Sequence, residues 1–303
     1  MKSQSNFFKE EGYAIFPKQI PQYQIDNLLE ELKRFKKSGK LFYSQSEHNW
    51  RRVDKNLDDH FLLNVSLQNF TDILWGNSLA KAGRNILQSK YIKQALTSIS
   101  SNKEFIMWQN MLFDKSTGTV DHIDSWYLDT NPYGNLLAIW IALEDINGDG
   151  GSFHVYPKSH LDQSFDWIGI DHDSLIKWSI SKQNKYSKKS IFLKKGDLLV
   201  WHPLLIHGSS LQKINGASRK SITAHYCPTN YLMGGGGLND SQDNNLYKNS
   251  LKKQLKNIRS FGYPIYSRRS RKKIAASSIY GMLRYLLNFG NNTKMLMNRS
   301  LYK

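Results

Sequence analysis

Apolar residues follow a helical spacing near the N-terminus of this chain. Residues 12–16 are β-prone and end at Pro17, and Ile25, Leu28 and Leu32 then recur about one helical turn apart. The pattern predicts a short strand followed by an amphipathic helix.

The central part of the chain, from about residue 105 to 226, has a different pattern. Short apolar or alternating runs are separated there by turn clusters such as 147–151 and 215–216. Many short strands at this spacing predict a mainly β fold with flanking helices, of the sandwich, jelly-roll or barrel type. The predicted strands lie within residues 105–113, 135–143, 153–156, 197–206 and 221–226.

Charge separates the C-terminal segment from the rest of the chain. The 303 residues carry a formal charge of +17, and residues 251–303 contribute thirteen Lys and Arg without any Asp or Glu. About +4 remains for the first 250 residues. We therefore predict a nearly balanced domain over residues 1–245 and a basic extension over 246–303. A nucleic-acid-binding surface would spread its charge over the fold, so no nucleic-acid partner is expected.

The cysteine count and the lack of long apolar segments indicate where in the cell the protein is expected. The single cysteine, Cys227, excludes a disulfide framework and a thiolate zinc cluster. The N-terminal residues are too acidic for a signal peptide, and no apolar run is long enough to span a membrane. The expectation is a cytoplasmic protein.

Three residues form a candidate metal site. His122 and Asp124 are two positions apart in DHIDSWY, so in an extended segment both side chains point to one face. His207 ends the apolar run DLLVWHPLLIH and is the best third ligand. Two histidines and one carboxylate, with the remaining positions open, are typical of non-haem Fe(II) oxygenases.

A candidate carboxylate-binding group follows the last histidine. Arg219 lies twelve residues after His207, and Ser221 is expected on the same strand face. A guanidinium beside a hydroxyl suits a carboxylate, and 2-oxoglutarate carries one at each end. By the same alternation His225 could line the pocket, whereas His202 should face away from His207 and be structural.

These blocks resemble the phytanoyl-CoA dioxygenase (PhyH) family of Fe(II)/2-oxoglutarate-dependent oxygenases. The resemblance covers most of residues 5–226 and includes WQNMLFDK, HIDSWY, WIALEDINGDGGSFHVYPKSH, GDLLVWHPLLIHGSS and SRKSITAHY in order. It implies a double-stranded β-helix (a cupin-like jelly roll) over about 105–230. One block departs from the family's Pro-Gly-Ser-His turn, because this chain has Lys158 in place of the glycine.

The resemblance also implies roles for single residues. His122, Asp124 and His207 would be catalytic iron ligands, and Arg219 would bind 2-oxoglutarate. The remaining positions are Ser209, Met111 and Trp140 at the co-substrate and Gln109 and Trp126 at the primary substrate. Because halogenating relatives replace the acidic ligand with a small residue, Asp124 disfavours halogenation.

The implied activity is the hydroxylation of an unactivated C–H bond in a small-molecule or lipid-like metabolite. Iron, 2-oxoglutarate and O₂ would take part, and succinate and CO₂ would be released. Trp108, Trp126, Tyr127 and Tyr156 indicate an aromatic-rich substrate pocket. Residues 39–64 and the lysine-rich segment 161–190 are the expected lids.

Three alternatives remain open for the core. They are a cupin-like metal oxygenase that does not use 2-oxoglutarate, a non-catalytic binding module with the same fold, and a nucleic-acid demethylase suggested only by charge. Arg219, the intact triad and the confinement of the charge to the tail argue against them in turn.

In the tail, SRRSRKK precedes a segment in which Ala275, Ile279, Met282 and Leu286 fall on one helical face. This predicted amphipathic helix either packs on the barrel, lies on an anionic membrane surface, or binds another partner. The oligomeric state is not indicated by the sequence.

Overall fold

The computed structural model describes residues 3–44, 49–73, 76–162, 171–234 and 265–267. Within these ranges the α-helices are α1 (Gln4–Glu11), α2 (Gln22–Lys37), α3 (Asn77–Leu87), α4 (Lys90–Ile99) and α5 (His172–Ser181).

The strands β1 to β7 precede the central glycine-rich turn of the chain. They are β1 (Tyr13–Phe16), β2 (Leu41–Ser44), β3 (Asn49–Arg52), β4 (Leu67–Gln68), β5 (Phe105–Phe113), β6 (Asp129–Asn131) and β7 (Leu137–Ala142). The strands after it are β8 (Phe153–Val155), β9 (Lys189–Ile191), β10 (Leu198–Trp201), β11 (His207–Ser209), β12 (Ser221–Pro228), β13 (Leu232–Gly234) and β14 (Ile265–Ser267).

Two sheets form the body of the fold. The larger has seven strands in the order β1-β10-β7-β12-β5-β14, with β4 also paired to β5, and the smaller has the order β11-β8-β9. All pairs in these sheets are antiparallel except β14 with β5, which is parallel. The predicted jelly roll with flanking helices is confirmed.

The two faces of the large sheet pack against different partners. On β7, Ala138, Trp140 and Ala142 point toward the small sheet and join one apolar cluster with Phe153 and Val155 of β8. The alternate residues of β7 join a second cluster with apolar residues of the helices α2, α3 and α4. This alternation of the side chains places the inner face of the large sheet toward the space between the sheets.

The N-terminal prediction is confirmed in part. β1 pairs with β10, and α2 buries Ile25, Leu28 and Leu32 as its spacing predicted. The helix α1 was not predicted. Ser3 caps its start, where the hydroxyl accepts a hydrogen bond from the Asn6 N–H, and Gly12 caps its end.

The run 197–206 is not one strand, contrary to the prediction. β10 ends at Trp201, and β11 begins at His207 in the other sheet. Because Pro203 has no N–H to donate to a ladder, the chain turns between the two sheets at this point. His207 therefore begins a strand instead of ending one.

Most of the basic extension lies outside the described residues. The backbone of 265–267 pairs with β5. The boundary near residue 245, the amphipathic helix and its membrane contact stay predictions. No helix in the described ranges is long and apolar enough to cross a membrane.

Candidate active site

A backbone bridge brings the two predicted histidine ligands together. His122 and His207 pair as an isolated antiparallel bridge and exchange two N–H···O hydrogen bonds of 3.0 Å. Directly opposed residues place their side chains on the same face, and the two imidazole rings have centroids 4.3 Å apart. A pairing between sequence positions 85 apart thus brings both imidazoles to one point.

The third ligand reaches the same point from a helical turn. Asp124 begins a 3₁₀ turn over Asp124–Trp126, so the expected continuous strand through both residues of the HxD motif is wrong in detail. Asp124 Oδ1 lies 3.6 Å from His122 Nε2 and 3.5 Å from His207 Nε2. One ligand atom from each residue lies within 4.8 Å of the others, close enough for a single metal ion.

Hydrogen bonds to the backbone fix the tautomer of each histidine. His122 Nδ1 lies 2.7 Å from the Val120 carbonyl oxygen, and His207 Nδ1 lies 2.9 Å from that of Leu205. A carbonyl can only accept, so Nδ1 carries the proton and Nε2 keeps a free lone pair. Burial lowers the pKa of His207 to about 4, which keeps this ring neutral and able to bind a metal near pH 7.

Asp124 is buried yet ionised. Burial by itself would raise the pKa of this carboxyl, but the surrounding histidines His207, His225 and His122 hold that pKa well below its usual range. The indole Nε1 of Trp201 donates to Asp124 Oδ2 at 2.8 Å. Oδ1 is thereby left to face the two imidazoles.

A cavity opens beside these ligands. Seven residues predicted from the sequence line it, namely Met111, His122, Asp124, Trp140, His207, Ser209 and Arg219. His225, which the strand alternation placed on the same face as Arg219, lines it too. Five other side chains in its wall were not predicted, and they are Phe113, Thr119, Phe153, Trp201 and Thr223.

Arg219 is a buried cation whose side chain has unused donors. It is 4% exposed, and its Nε and Nη1 have no hydrogen-bond partner among the described residues. Its guanidinium carbon lies 5.6 Å from the ring centroid of Trp140 and 6.0 Å from that of Phe113. Burial lowers the pKa of Arg219 to about 10, so the group remains charged at neutral pH. A buried guanidinium that faces a cavity is an anion-binding group.

The hydroxyl beside Arg219 is not the expected one. Ser221 Oγ donates to the carbonyl of Arg219 at 3.4 Å, and Ser221 is not among the cavity-lining residues. Ser209, which the family resemblance had pointed to, does line the cavity, and its Oγ accepts from the N–H of Thr119 at 2.9 Å. Its own proton is left for another acceptor.

The two predicted substrate-facing residues do not line this cavity. Gln109 lies opposite His225 in the β5–β12 ladder. Trp126 packs in a separate apolar cluster with Ile123, Leu175 and neighbouring residues. Their assignment to the primary substrate stays a prediction.

Two of the aromatic residues predicted for the substrate pocket lie away from this cavity, and the substrate pocket stays a prediction. Trp108 packs against Leu136 and Cys227, and the hydroxyl of Tyr156 donates to Asp121 at 2.6 Å, so neither lines the cavity. The aromatic side chains that do so are Phe113, Trp140, Phe153 and Trp201. Strand alternation could have predicted that Phe113, two residues after Met111, lines the cavity. The position of Trp201 at the cavity depends on the pairing of β10 with β7, which the sequence does not show.

The segment predicted as a lid is attached to the motif that carries the ligands. Near the N-terminus of α5, His172 Nε2 lies 2.8 Å from the hydroxyl of Tyr127. Just after α5, Gln183 Nε2 donates to Asp121 Oδ2 at 2.9 Å. These contacts connect the region of α5 to residues on either side of His122 and Asp124.

His202 lies away from the metal site, as its spacing predicted. Its ring packs against that of His160, with the two centroids 5.1 Å apart, and Nδ1 accepts from the Leu204 N–H at 3.2 Å. Neither histidine lines the cavity.

The fold and the site together define a jelly-roll protein with a two-histidine, one-carboxylate centre. The family profile described as phytanoyl-CoA dioxygenase (PhyH) matches residues 8–221. The chain therefore belongs to the phytanoyl-CoA dioxygenase family.

A curated relative shares sequence with this chain, and two solved structures share its fold. The peroxisomal phytanoyl-CoA dioxygenase of Bos taurus is 31% identical over 113 residues, which are 36% of this chain and 33% of that protein. The chain thus matches about a third of the length of this relative. The non-haem α-ketoglutarate-dependent carbocyclase SnoK from nogalamycin biosynthesis shares the fold, with a TM-score of 0.57, 14% identity, and coverage of 81% of this chain and 89% of its own. EctD from S. alaskensis, solved with 2-oxoglutarate and 5-hydroxyectoine, has a TM-score of 0.56, 15% identity and coverage of 78% and 79%.

Proposed function

We propose that this protein is a non-haem Fe(II)- and 2-oxoglutarate-dependent dioxygenase. In this proposal it hydroxylates an unactivated C–H bond of a small-molecule or lipid-like metabolite and releases succinate and CO₂. Family membership supports the enzyme class, and the site geometry supports the cofactors.

The donor set fits Fe(II). Two imidazole nitrogens and one carboxylate oxygen converge within 4.8 Å, and both imidazoles are oriented by backbone carbonyls. Such a set suits Fe(II) and leaves other coordination positions open. Bound iron, with 2-oxoglutarate and O₂, would supply the oxidising chemistry.

The observation that best supports 2-oxoglutarate as the co-substrate is the environment of Arg219. An arginine that is 4% exposed, with unpaired Nε and Nη1, bears the cost of burial without a compensating anion among the described residues. A dicarboxylate bound at the metal by its keto-acid end would bring its distal carboxylate to this guanidinium. Ser209 has a free hydroxyl proton for the same carboxylate, and Met111 and Trp140 provide apolar walls.

The protein's part in the reaction is positioning and exclusion of water. His122, Asp124 and His207 would fix the metal, Arg219 and Ser209 would orient the co-substrate, and the aromatic walls would keep solvent from the reacting centre. Gln109 and Trp126 are proposed to face the primary substrate, and the region of α5 is proposed to cover it.

Anaerobic titration with Fe(II) and then 2-oxoglutarate tests the cofactor assignment. We expect 2-oxoglutarate to bind only after Fe(II) and to give the metal-to-ligand charge-transfer absorption of a chelated keto acid. A metabolite screen for substrate-stimulated succinate would then identify the substrate class. Two results would contradict the proposed chelate. One is equally tight 2-oxoglutarate binding with and without Fe(II), and the other is binding to the Fe(II) protein without the charge-transfer absorption.

A further inference from the structure

A third histidine contacts the candidate carboxylate ligand, at the oxygen that does not face His122 and His207. His225 Nε2 lies 3.3 Å from Asp124 Oδ2, the oxygen that also accepts from Trp201. His225 is 3% exposed and lines the cavity. Neither of its ring nitrogens makes a hydrogen bond with a described residue, so the 3.3 Å approach of Nε2 to Oδ2 is a close polar contact with a donor still unused.

Strand register explains why this histidine and Trp201 meet at one oxygen. Trp201 of β10 and His225 of β12 both lie opposite Ala138 of β7, so the three residues form one row across the inner face of the sheet. The methyl group of Ala138 leaves space between the two larger side chains. Both rings extend over it, with an angle of 80° between them and centroids 6.2 Å apart, and both reach Asp124.

A local irregularity of the sheet accompanies this arrangement. The register between β12 and β5 shifts between His225 and Tyr226. A bulge of this kind increases the local twist and redirects a side chain, and such bulges are common beside active sites. The unpaired residue is Trp108 of β5, opposite the step from His225 to Tyr226, so the shift lies directly beside the position of His225 in the ladder.

We infer that His225 is a positioning residue that, with Trp201, holds Oδ2 of Asp124 and so keeps this carboxylate bound to the metal through Oδ1 alone. The inference rests on the proposed function, since it concerns the same metal site. A small rotation of the His225 ring would direct an Nε2–H at Oδ2, the oxygen to which the indole of Trp201 already donates. With two donors on one oxygen, the carboxylate cannot rotate to offer both oxygens to the metal, and a coordination position stays open for the co-substrate or O₂.

A matched pair of substitutions tests this role. His225→Gln keeps an N–H donor near the position of Nε2, and His225→Met has a similar volume without a donor. Co(II) is a suitable probe because it binds nitrogen and oxygen ligand sets and its d–d absorption reports the number and geometry of its ligands. His202→Phe is the control, since it replaces a partly buried histidine that does not contact Asp124.

We expect His225→Met to weaken Co(II) binding by about 10- to 100-fold, the usual effect of losing an outer hydrogen bond to a metal ligand, and to change the d–d spectrum. His225→Gln and His202→Phe should keep the affinity and the spectrum of the wild-type protein. If His225→Gln and His225→Met behave alike, whether both bind as the wild type does or both lose Co(II), the positioning role is overturned. Failure of the wild-type protein to bind Co(II) or Fe(II) would instead refute the proposed function itself.

Discussion

The backbones of His122 and His207 hold each other through two hydrogen bonds, each 3.0 Å from nitrogen to oxygen. This bridge joins the segment before the 3₁₀ turn to the first residue of β11, and it sets the separation of the two imidazoles. The candidate metal site therefore depends on backbone pairing between distant parts of the chain.

A substitution at Gly208, the residue after His207, tests whether this backbone pairing sets the ligand geometry. A Cβ at this position would overlap Asp121 Oδ1 and lie 2.9 Å from both the Thr119 carbonyl oxygen and His154 Nε2. We expect Gly208→Ala to lower the free energy of unfolding by about 1–3 kcal/mol, as overpacking usually does, and to weaken Co(II) binding. Thermal denaturation and metal titration measure the two effects.

Gly76→Ala is the control for that substitution. A Cβ there would meet only side chains, the nearest being Ile73 at 3.1 Å, and we expect little effect on metal binding. Equal metal affinity in Gly208→Ala and the wild-type protein would show that the bridge does not set the ligand geometry.

Arg219 should influence stability and ligand binding in opposite directions. Its guanidinium is buried, and two of its nitrogens lack partners among the described residues, so it costs folding free energy in the absence of an anion. We expect Arg219→Leu to leave the melting temperature of the apoprotein unchanged or higher. The same change should weaken 2-oxoglutarate binding by roughly 100-fold, in line with the 2–5 kcal/mol cost of truncating one partner of a buried charged pair.

Arg219→Lys separates charge from geometry at this position. It keeps the cation but loses the paired donors, so an intermediate 2-oxoglutarate affinity is expected. The account of Arg219 would be wrong if the leucine variant bound 2-oxoglutarate as tightly as the wild-type protein.

The ion pair between Lys36 of α2 and Asp114, just after β5, should be essential for folding. Lys36 Nζ lies 2.7 Å from Asp114 Oδ2, and the side chains are 6% and 0% exposed. Because Lys36→Met would leave the carboxylate buried without its cation, we expect a loss of about 3–5 kcal/mol in the free energy of unfolding. Urea denaturation measures this loss. Lys37→Met, on the exposed face of the same helix, is the control, and equal stability of the two variants would contradict the prediction.

His202 and His160 should make the fold sensitive to acid. Burial lowers the pKa of both rings, that of His202 to about 3 with a further contribution from His160. The unfolded chain therefore takes up protons below the ordinary histidine pKa of 6.5, whereas the folded chain resists protonation. The contribution of these neutral, buried histidines to the free energy of unfolding is fully present above pH 6.5 and is lost as the pH falls toward 3.

His202→Asn tests this pH dependence, because asparagine can still accept the hydrogen bond from the N–H of Leu204. We expect the slope of unfolding free energy against pH between 6.5 and 3 to decrease. The exposed residue His60, changed to Asn, provides the control. An unchanged slope in His202→Asn would exclude His202 as a source of the acid sensitivity.

Sequence patterns predicted the parts of this structure that depend on local spacing and motif. The strands of the central region, the helix α2, and the convergence of His122, Asp124 and His207 beside Arg219 all followed from the order and spacing of residues. Strand spacing predicted a sandwich, jelly roll or barrel, because short alternating strands must bury one face against a second layer, and the family resemblance selected the jelly roll.

Contacts that depend on the pairing of distant strands could not be read from the sequence. The row of Trp201, Ala138 and His225 exists only because β10 and β12 both pair with β7. The direction of Ser221 depends on a local bond to the Arg219 carbonyl, and the packing of Trp108 and Tyr156 away from the cavity depends on tertiary partners. The break between β10 and β11 could not be predicted either, because the apolar run in the sequence continues through it.

The most direct test of the central claim is succinate formation by the wild-type protein and by Asp124→Ala in the presence of Fe(II), 2-oxoglutarate, O₂ and the substrate found by screening. Asp124 Oδ1 is the candidate ligand atom between the two imidazoles, at 3.6 Å and 3.5 Å from their Nε2 atoms. We expect the wild-type protein to form succinate in a reaction that depends on Fe(II) and 2-oxoglutarate, and Asp124→Ala to form none above background. Substantial substrate-dependent succinate from the Asp124→Ala protein would contradict the central claim.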